Sequence, residues 1–172
     1  INGAVAQADI LGIFGREGLD LATLFNYPDP NLGTDQFENQ PAAYAFRMFR
    51  NYDGNTSKFG DTSVQASSSD QGSLSIYAAE RSSDNALTLM IINKTSVAQT
   101  ADLSLIGFIP QNPTASVYQY SDANLNAIVR ASDITLEPLG FSSTFPANSI
   151  TLIEIDGASV PLQKTFVPLV QN

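Results

Sequence analysis

The sequence contains no cysteine, no histidine and no tryptophan. Without cysteine, the chain can form neither disulfides nor thiolate metal sites, and it has no cysteine nucleophile. Without histidine, it cannot build a Ser-His-Asp triad or a zinc-binding HExxH helix, and it lacks the usual general base near neutral pH. The absence of tryptophan weakens the case for a flat sugar-stacking platform. Any acid–base chemistry in this chain would therefore depend on carboxylates.

Positive charge is also scarce, because 8 Lys and Arg residues stand against 17 Asp and Glu residues, for a net charge of −9. So few cations cannot neutralise a run of phosphates, and we expect no nucleic-acid partner. We expect no membrane partner either, since the charge disfavours anionic lipids and no apolar run reaches about 18 residues. The 172 residues are 43% hydrophobic and 15% charged, which indicates a globular chain of ordinary domain size.

Residues 1–52 have a mixed α and β pattern. Apolar side chains at helical spacing predict a helix over residues 4–14, ended by Gly15; they are Ala6, Ile10, Ile13 and Phe14. Residues 19–25 are apolar nearly throughout, which suggests a short strand buried on both faces, as in a parallel sheet. Pro41 then occupies a first helical position, and residues 42–52 carry two apolar stripes. We expect this second helix to be covered on two sides.

From residue 60 onward the pattern changes to short alternating runs separated by turn signals. The predicted strands are residues 62–66, 74–80, 86–93, 99–105, 115–120, 127–129, 134–136, 141–145 and 149–155. Residues 87–92 are apolar on both sides and should be central. Evenly spaced strands without intervening helices predict an antiparallel β-sandwich, or a jelly roll.

No acidic residue stands out as a catalytic group by its position in the sequence. Glu80 and Glu154 fall in strands whose alternate residues face solvent, which predicts solvated surface acids. Residues 29–33 and 51–55 superficially resemble the start of a calcium-binding loop, but neither has the glutamate at position twelve. A structural calcium ion is thus an option from ligand type alone, and we otherwise expect no cofactor. The glycine-rich residues 12–18 lack the spacing of a phosphate-binding loop.

Five ordered blocks resemble the closing part of glycoside hydrolase family 44. They are residues 8–24, 45–54, 59–64, 74–79 and 90–94, and the likeness extends to residues 145–151. The family comprises β-1,4-glucan endohydrolases, often also active on xyloglucan, xylan or mannan, and joins a (β/α)₈-type barrel to a β-sandwich. The resemblance implies a mainly β chain with a jelly-roll-like antiparallel sandwich, preceded by a helix–strand–helix piece of the barrel. It divides the chain into that piece (1–52), the sandwich (53–158) and a C-terminal tail (159–172).

The resemblance also bears on the site. The family's two catalytic glutamates lie on earlier barrel strands, so we assign no catalytic residue and no metal ligand here, and we expect the preceding catalytic barrel to be the partner. Barrel active sites lie at the carboxyl ends of strands. Phe25 ends the predicted strand where similar sequences commonly have Trp, so it either stacks on a sugar ring or belongs to the core.

Two functions remain open. The chain starts at Ile1 without a methionine or signal peptide, and we expect it to be a piece of something longer. The first function is therefore the C-terminal segment of a secreted bacterial endo-β-1,4-glucanase, acting on cellulose, xyloglucan, xylan or mannan, with no complete active site of its own. The second is a stand-alone carbohydrate-binding or adhesion sandwich without catalysis. The lack of tryptophan and the helix–strand–helix start favour the first.

Overall fold

The computed structural model describes residues 1–23 and 39–157, in which two helices precede eight strands. The helices are α1 (Asn2–Arg16) and α2 (Pro41–Arg50), and Pro41 lies at the amino end of α2 as predicted. The strands are β1 (Thr62–Val64), β2 (Leu74–Arg81), β3 (Ala86–Asn93), β4 (Gln99–Ser104), β5 (Thr114–Ser121), β6 (Asn124–Thr135), β7 (Gly140–Phe145) and β8 (Ser149–Ile155).

The strands form two antiparallel sheets. Six of them pair in the order β1-β2-β3-β8-β5-β6, and β4 pairs with β7 in a separate two-stranded sheet. Strand β3 lies inside the larger sheet between β2 and β8, and all of its residues are buried, as its apolar sequence predicts. The expected antiparallel sandwich is confirmed, with one layer much narrower than the other.

The larger sheet is the middle of three layers, because its two faces are covered by different elements. On one face, Met90, Ile92, Tyr120, Ile150 and Leu152 pack beneath α1 and α2. On the other face, residues of alternate parity pack against the β4–β7 sheet; they include Leu89, Ile91, Val117, Ile153 and Ile155, with Phe141 and Phe145 opposite. This two-sided burial explains why β3 and β8 are apolar at nearly every position.

One prediction about the strands is wrong. Residues 127–129 and 134–135 belong to a single strand, β6, which is 12 residues long, ends one residue before Leu136 and forms an edge of the larger sheet. Two irregularities in its pairing with β5 accommodate the length. The polar residues that interrupt the apolar pattern lie on this edge, where Arg130 pairs with Asp133 and protects an otherwise open strand.

Helix α1 packs on the sheet through a different face from the one that its large apolar residues predict. Its buried residues are the small ones, Ala4, Val5, Ala8 and Gly12. Gly12 lies against the ring of Tyr77, where an added Cβ would be 2.3 Å from the ring. Ile10 and Ala6 are exposed, so this part of the predicted stripe points away from the sheet, whereas Ile13 is partly buried against the core. The helix also continues past Gly15 to Arg16, and Gly18 has the positive φ that follows the helix end.

Residues 19–23 do not form the predicted buried strand. They pair with no strand in the described part of the chain, and Leu19 and Leu21 are exposed, Leu21 at 77%. A parallel strand needs neighbours on both edges and cover on both faces, and the described residues supply neither. Leu24 and Phe25, the end of the predicted strand, lie outside the described residues.

Candidate functional site

The junction between the two helices and the larger sheet carries a group of partly buried polar contacts. Two charged clusters and two aromatic contacts join residues that are far apart in sequence. Phe25, the predicted sugar-stacking residue, lies outside the described residues, so its placement stays a prediction.

The first cluster centres on Arg81, at the end of β2. Its guanidinium donates to the Asp84 carboxylate at 2.8–3.0 Å, to the Tyr52 hydroxyl at 2.6 Å and to Glu154 on β8. The hydrogen bond from Arg81 lowers the pKa of Asp84. Burial, and after it the nearby Glu154 carboxylate, raises the pKa of the Tyr52 phenol above its usual value. The lowered pKa keeps Asp84 ionised near neutral pH, and the raised pKa keeps the Tyr52 phenol neutral.

Glu154 corrects an expectation from the sequence. Its side chain is only 18% exposed, and it pairs with Arg81 under the residues that follow α2. The sequence predicted a solvated acid, since alternation along a strand does not reveal that the outward face is covered by helices. Glu80 lies on β2, which β3 separates from β8, and it is half-buried, without an ion pair among the described residues.

The second cluster centres on Asp9, the one acidic residue of α1. Its carboxylate accepts hydrogen bonds from the Ser75 hydroxyl at 2.6 Å, the Tyr77 hydroxyl at 2.7 Å and the Lys94 ammonium at 2.9 Å. Burial alone would raise the pKa of Asp9, but these three donors outweigh it and hold the pKa below its usual value. Burial, together with Asp9, raises the pKa of Tyr77 to about 12.

Neither cluster was singled out in the sequence. For the cluster around Asp9, the sequence does contain one indication, which is Asp9 itself. A single carboxylate in a helix of small and apolar residues needs either a buried partner or exposure to water. The signal did not identify the partners, which come from β2 and from the residue after β3. Each cluster joins the helical part of the chain to the sandwich, so together they fix the orientation of the helices on the sheet.

Aromatic contacts strengthen the same junction. Tyr44 on α2 stacks on Tyr120 on β5 with ring centroids 4.7 Å apart and planes 9° apart, and its hydroxyl donates to the Asn126 carbonyl at 2.5 Å. Tyr52 contacts the ring of Tyr118 at 4.7 Å. Tyr44, Met48 and Tyr52 form one of the two apolar stripes of residues 42–52, and all three are buried in the cluster beneath the helices, as their spacing predicts. Among the described residues, every Phe and Tyr is buried or half-buried, so these residues present no flat aromatic platform.

A groove of about 630 Å³ opens beside the same junction. It is bounded by the second half of α1, residues 59–66 and the middle of β2. Its walls carry Arg16 and Arg50 as well as Asp20 and Asp61.

The calcium option stays untested. In residues 51–55, the Asp53 carboxylate accepts hydrogen bonds from the Asn55 and Ser57 backbone amides at 2.8 and 3.1 Å and from the Ser57 hydroxyl at 2.7 Å. Residues 29–33 lie outside the described residues. Over residues 1–23 and 39–157, no three acidic side chains gather closely enough to hold a metal ion. Neither helix in these residues is long and apolar enough to cross a membrane.

No protein-family model matches the chain. Two solved structures resemble it closely. CelM2, a bifunctional glucanase-xylanase from a metagenome library, matches with a TM-score of 0.79 and 44% identity, over 90% of this chain and 28% of the other. A xyloglucanase of glycoside hydrolase family 44 from Paenibacillus polymyxa matches with a TM-score of 0.76 and 30% identity, over 89% of this chain and 29% of the other.

Curated relatives agree with the structures. Endoglucanase A of Paenibacillus lautus is 40% identical over 95 residues, which is 55% of this chain and 12% of the relative. Beta-mannanase/endoglucanase A of Caldicellulosiruptor saccharolyticus is 31% identical over 125 residues, 72% of this chain and 9% of the relative. The chain spans less than a third of either solved structure and about a tenth of these relatives. The likeness covers both the helices and the sandwich, and this chain therefore corresponds to the C-terminal, sandwich-bearing part of a glycoside hydrolase of family 44.

Proposed function

We propose that this chain closes the catalytic barrel of a secreted bacterial endo-β-1,4-glucanase and supplies its accessory sandwich. The observation that carries the proposal is the pair of opposite apolar faces on α1. The small-residue face packs on the sheet, whereas Ala6 and Ile10 lie on the opposite side of the helix and are exposed. A helix that is apolar on two sides is covered on two sides in a folded protein. The second cover is the rest of the barrel.

The residues after α1 support the same partner. Leu19 and Leu21 follow the helix end and are exposed on their own. A barrel strand needs a parallel neighbour on each edge, and an upstream barrel supplies these neighbours. Burying each aliphatic side chain contributes about 1.5–3 kcal/mol, so covering Ile10, Leu19 and Leu21 strongly favours assembly with the upstream part.

The substrate of the whole protein is proposed to be a β-1,4-linked polysaccharide, such as cellulose, xyloglucan, xylan or mannan. The support comes from the relatives, whose names include endoglucanase, xyloglucanase, xylanase and mannanase. The acid/base and nucleophile glutamates would be upstream of this chain, and the reaction needs no cofactor, since two carboxyl groups suffice for retaining glycoside hydrolysis. Phe25 is proposed to stack on a sugar ring near the barrel mouth.

The alternative, a stand-alone carbohydrate-binding or adhesion sandwich, finds less support. Such modules bind sugar through exposed aromatic side chains, and the described Phe and Tyr residues are all at least half-buried. One face of the larger sheet is covered by α1 and α2 and the other by β4 and β7. A module of that kind also has no use for a helix with an uncovered apolar face.

The proposal is tested by one substitution in two contexts. Ile10→Asp, at an exposed position of α1, should change the stability of the 172-residue chain by no more than about 0.5 kcal/mol. In the complete gene product it places a carboxylate in a buried interface and should cost at least about 2 kcal/mol and most of the glucanase activity. Val97→Asp, also exposed but in the loop after β3, is the matched control and should be neutral in both.

Two results would overturn the proposal. One is equal, small effects of Ile10→Asp in both contexts, because the outer face of α1 would then be a true surface. The other is hydrolysis of carboxymethylcellulose or xyloglucan by the 172-residue chain alone. Retention of that chain on insoluble glucan, without hydrolysis, would instead support the binding module.

A further inference from the structure

Two asparagines of the described chain stand in the triplet Asn-x-Ser/Thr, the acceptor pattern for N-linked glycans. One triplet is Asn55-Thr56-Ser57, in the loop between α2 and β1, and the other is Asn93-Lys94-Thr95, at the end of β3. A pattern this short arises often by chance, so the triplet alone does not separate an acceptor from a coincidence. The structure gives the two asparagines opposite surroundings.

Asn93 is a structural residue in the folded chain. Its side chain is fully buried, at 0% exposure. Its Nδ2 donates to carbonyl oxygens of Val97, Phe145 and Pro146 at 2.8–3.1 Å, and its Oδ1 accepts from the amide and the hydroxyl of Thr95 at 3.0 and 2.9 Å. The asparagine and the hydroxyl of this triplet are thus both used to join the end of β3 to neighbouring turns, and the site has no room for a sugar.

Asn55 lies on the surface instead. Residues 54–56 are exposed, and the Asn55 Nδ2 makes a hydrogen bond of 3.4 Å to the Asp53 carbonyl, at the long end of the normal range. Asn55 is not among the residues that line the groove beside the junction, so a glycan on it would leave that groove open. The position therefore satisfies the steric requirement that Asn93 fails.

The residue two positions before Asn55 gives an independent indication. Oligosaccharyltransferases of the bacterial type select acceptors that carry a carboxylate at that position, in addition to the hydroxyl two positions after the asparagine. Asp53 supplies the carboxylate and Ser57 the hydroxyl, within one pentapeptide. The position equivalent to Asp53 in the other triplet is Ile91, which is buried in the core.

In the free chain the two recognition groups bind each other. The Asp53 carboxylate accepts hydrogen bonds from the Ser57 hydroxyl at 2.7 Å and from the Asn55 and Ser57 amides at 2.8 and 3.1 Å. The net contribution of each hydrogen bond is small where water competes for the same groups. An enzyme that offers its own partners to Asp53 and Ser57 therefore opens the loop at little cost.

We propose that Asn55 is an acceptor site for an N-linked glycan, recognised through Asp53 and Ser57, and that Asn93 is excluded by its burial. In the transfer, Nδ2 of Asn55 forms a bond to the anomeric carbon of a lipid-linked oligosaccharide, and the bond from that carbon to the diphosphate oxygen breaks. The lipid diphosphate leaves with the electron pair, and Nδ2 gives up one of its protons to a base of the transferase. Use of the site in a cell requires export, which rests on the proposed function.

The first test is a reaction with purified components, so its outcome does not depend on whether the chain is exported or belongs to a glucanase. The folded 172-residue chain is incubated with a bacterial oligosaccharyltransferase and a lipid-linked oligosaccharide, and products are mapped by mass spectrometry. We expect one glycan, on Asn55. An unmodified Asn55 would overturn the proposal, and a synthetic peptide of residues 51–59 in a parallel reaction would show whether the loop or its sequence is the reason.

A second reaction separates burial from sequence at Asn93. A transferase that needs only the triplet is given the folded chain and, as the control, a synthetic peptide of residues 89–97. The peptide should be modified and Asn93 of the folded chain should not. Modification of both, or of neither, would contradict exclusion by burial.

Two variants separate recognition by Asp53 from its effect on the loop. Asp53→Ala removes the carboxylate and frees the loop, whereas Asp53→Glu keeps a carboxylate at the same position. With the bacterial enzyme, Asp53→Ala should reduce modification of Asn55 at least about tenfold and Asp53→Glu should retain most of it, since a carboxylate forms charge-assisted hydrogen bonds. Equal or faster modification of Asp53→Ala would overturn the role of Asp53, because the carboxylate would then only hold the loop closed.

Discussion

Gly12 offers the sharpest test of how α1 is fixed on the sheet. Its missing side chain makes room for the Tyr77 ring, and an added Cβ would lie 2.3–2.5 Å from three ring carbons. The ring cannot simply move aside, because Tyr77 is buried and its hydroxyl donates to Asp9 at 2.7 Å. Gly12→Ala should therefore destabilise the chain. Gly15→Ala, one turn further along the same helix with nothing within 4 Å of the added Cβ, is the matched control.

The size of the effect follows from two opposing contributions. Replacing glycine by alanine inside a helix stabilises it by about 0.5–1 kcal/mol, and this applies to both positions. Overpacking a tight contact costs about 1–3 kcal/mol and applies to Gly12 alone. Shifting the ring also weakens its charge-assisted hydrogen bond to Asp9, so we expect a difference between the two variants of about 2–3 kcal/mol. For a chain of this length that difference corresponds to about 4–12 °C in Tm.

Urea and thermal unfolding of the two variants, followed by circular dichroism, measure this difference directly. Gly15→Ala should unfold at or slightly above the wild-type midpoint, and Gly12→Ala clearly below it. The reasoning would be refuted if Gly12→Ala were as stable as Gly15→Ala, because α1 would then not rest on Tyr77. Equal destabilisation by both variants would point instead to a helix that tolerates no alanine, independent of the Tyr77 contact.

Three further predictions concern the same junction. Because the folded pKa of Asp9 lies below the ordinary 3.8, its stabilisation is present above about pH 4 and is lost as pH falls through the lowered pKa. Asp9→Asn should thus lower the free energy of unfolding by about 1–3 kcal/mol at pH 7. In urea titrations below about pH 4, the difference in this free energy between the variant and the wild type should become smaller. A difference that stays constant with pH would contradict the ionic contact. Arg81→Ala should lower the free energy of unfolding by about 2–4 kcal/mol. Arg130→Ala should lower it by less than about 1 kcal/mol, since the Arg130 side chain is 40% exposed. Similar losses of stability for the two variants in thermal unfolding would contradict this reasoning. Tyr44→Phe keeps the ring stack but loses the bond to the Asn126 carbonyl, so a loss of about 1 kcal/mol in urea unfolding is expected, and an unchanged midpoint would count against that bond.

In the proposed enzyme, the two charged clusters would hold the helices rigidly on the sandwich. Asp9 belongs to α1 and its donors to the sandwich, and Tyr52 follows α2 while Arg81 and Glu154 belong to β2 and β8. Charged pairs that are largely shielded from water resist sliding, because breaking one leaves an unpaired charge in a poorly solvated place. The sandwich would then act as a rigid brace for the end of the barrel.

The sequence by itself determined the elements with strong periodicity. Alternating or fully apolar runs predicted β2, β3, β7 and β8 to within about a residue of their observed ends, because each buried face demands a period of two. The centrality of β3 followed from its uniform apolarity. The order of the five blocks was also sufficient for the resemblance to family 44.

Only the tertiary structure decided which faces are buried and which charges meet. The apolar stripe of α1 predicted a buried face, yet the small residues pack on the sheet, because close contact with Tyr77 requires a residue without a side chain at position 12. Glu154 resembled a surface acid until the helices covered its face of the sheet. The partners of Asp9 lie at least 66 residues away, and local periodicity carries no information on contacts at that separation. Residues 19–23 also depend on tertiary structure, because an apolar run becomes a strand only where neighbouring strands exist to pair with it.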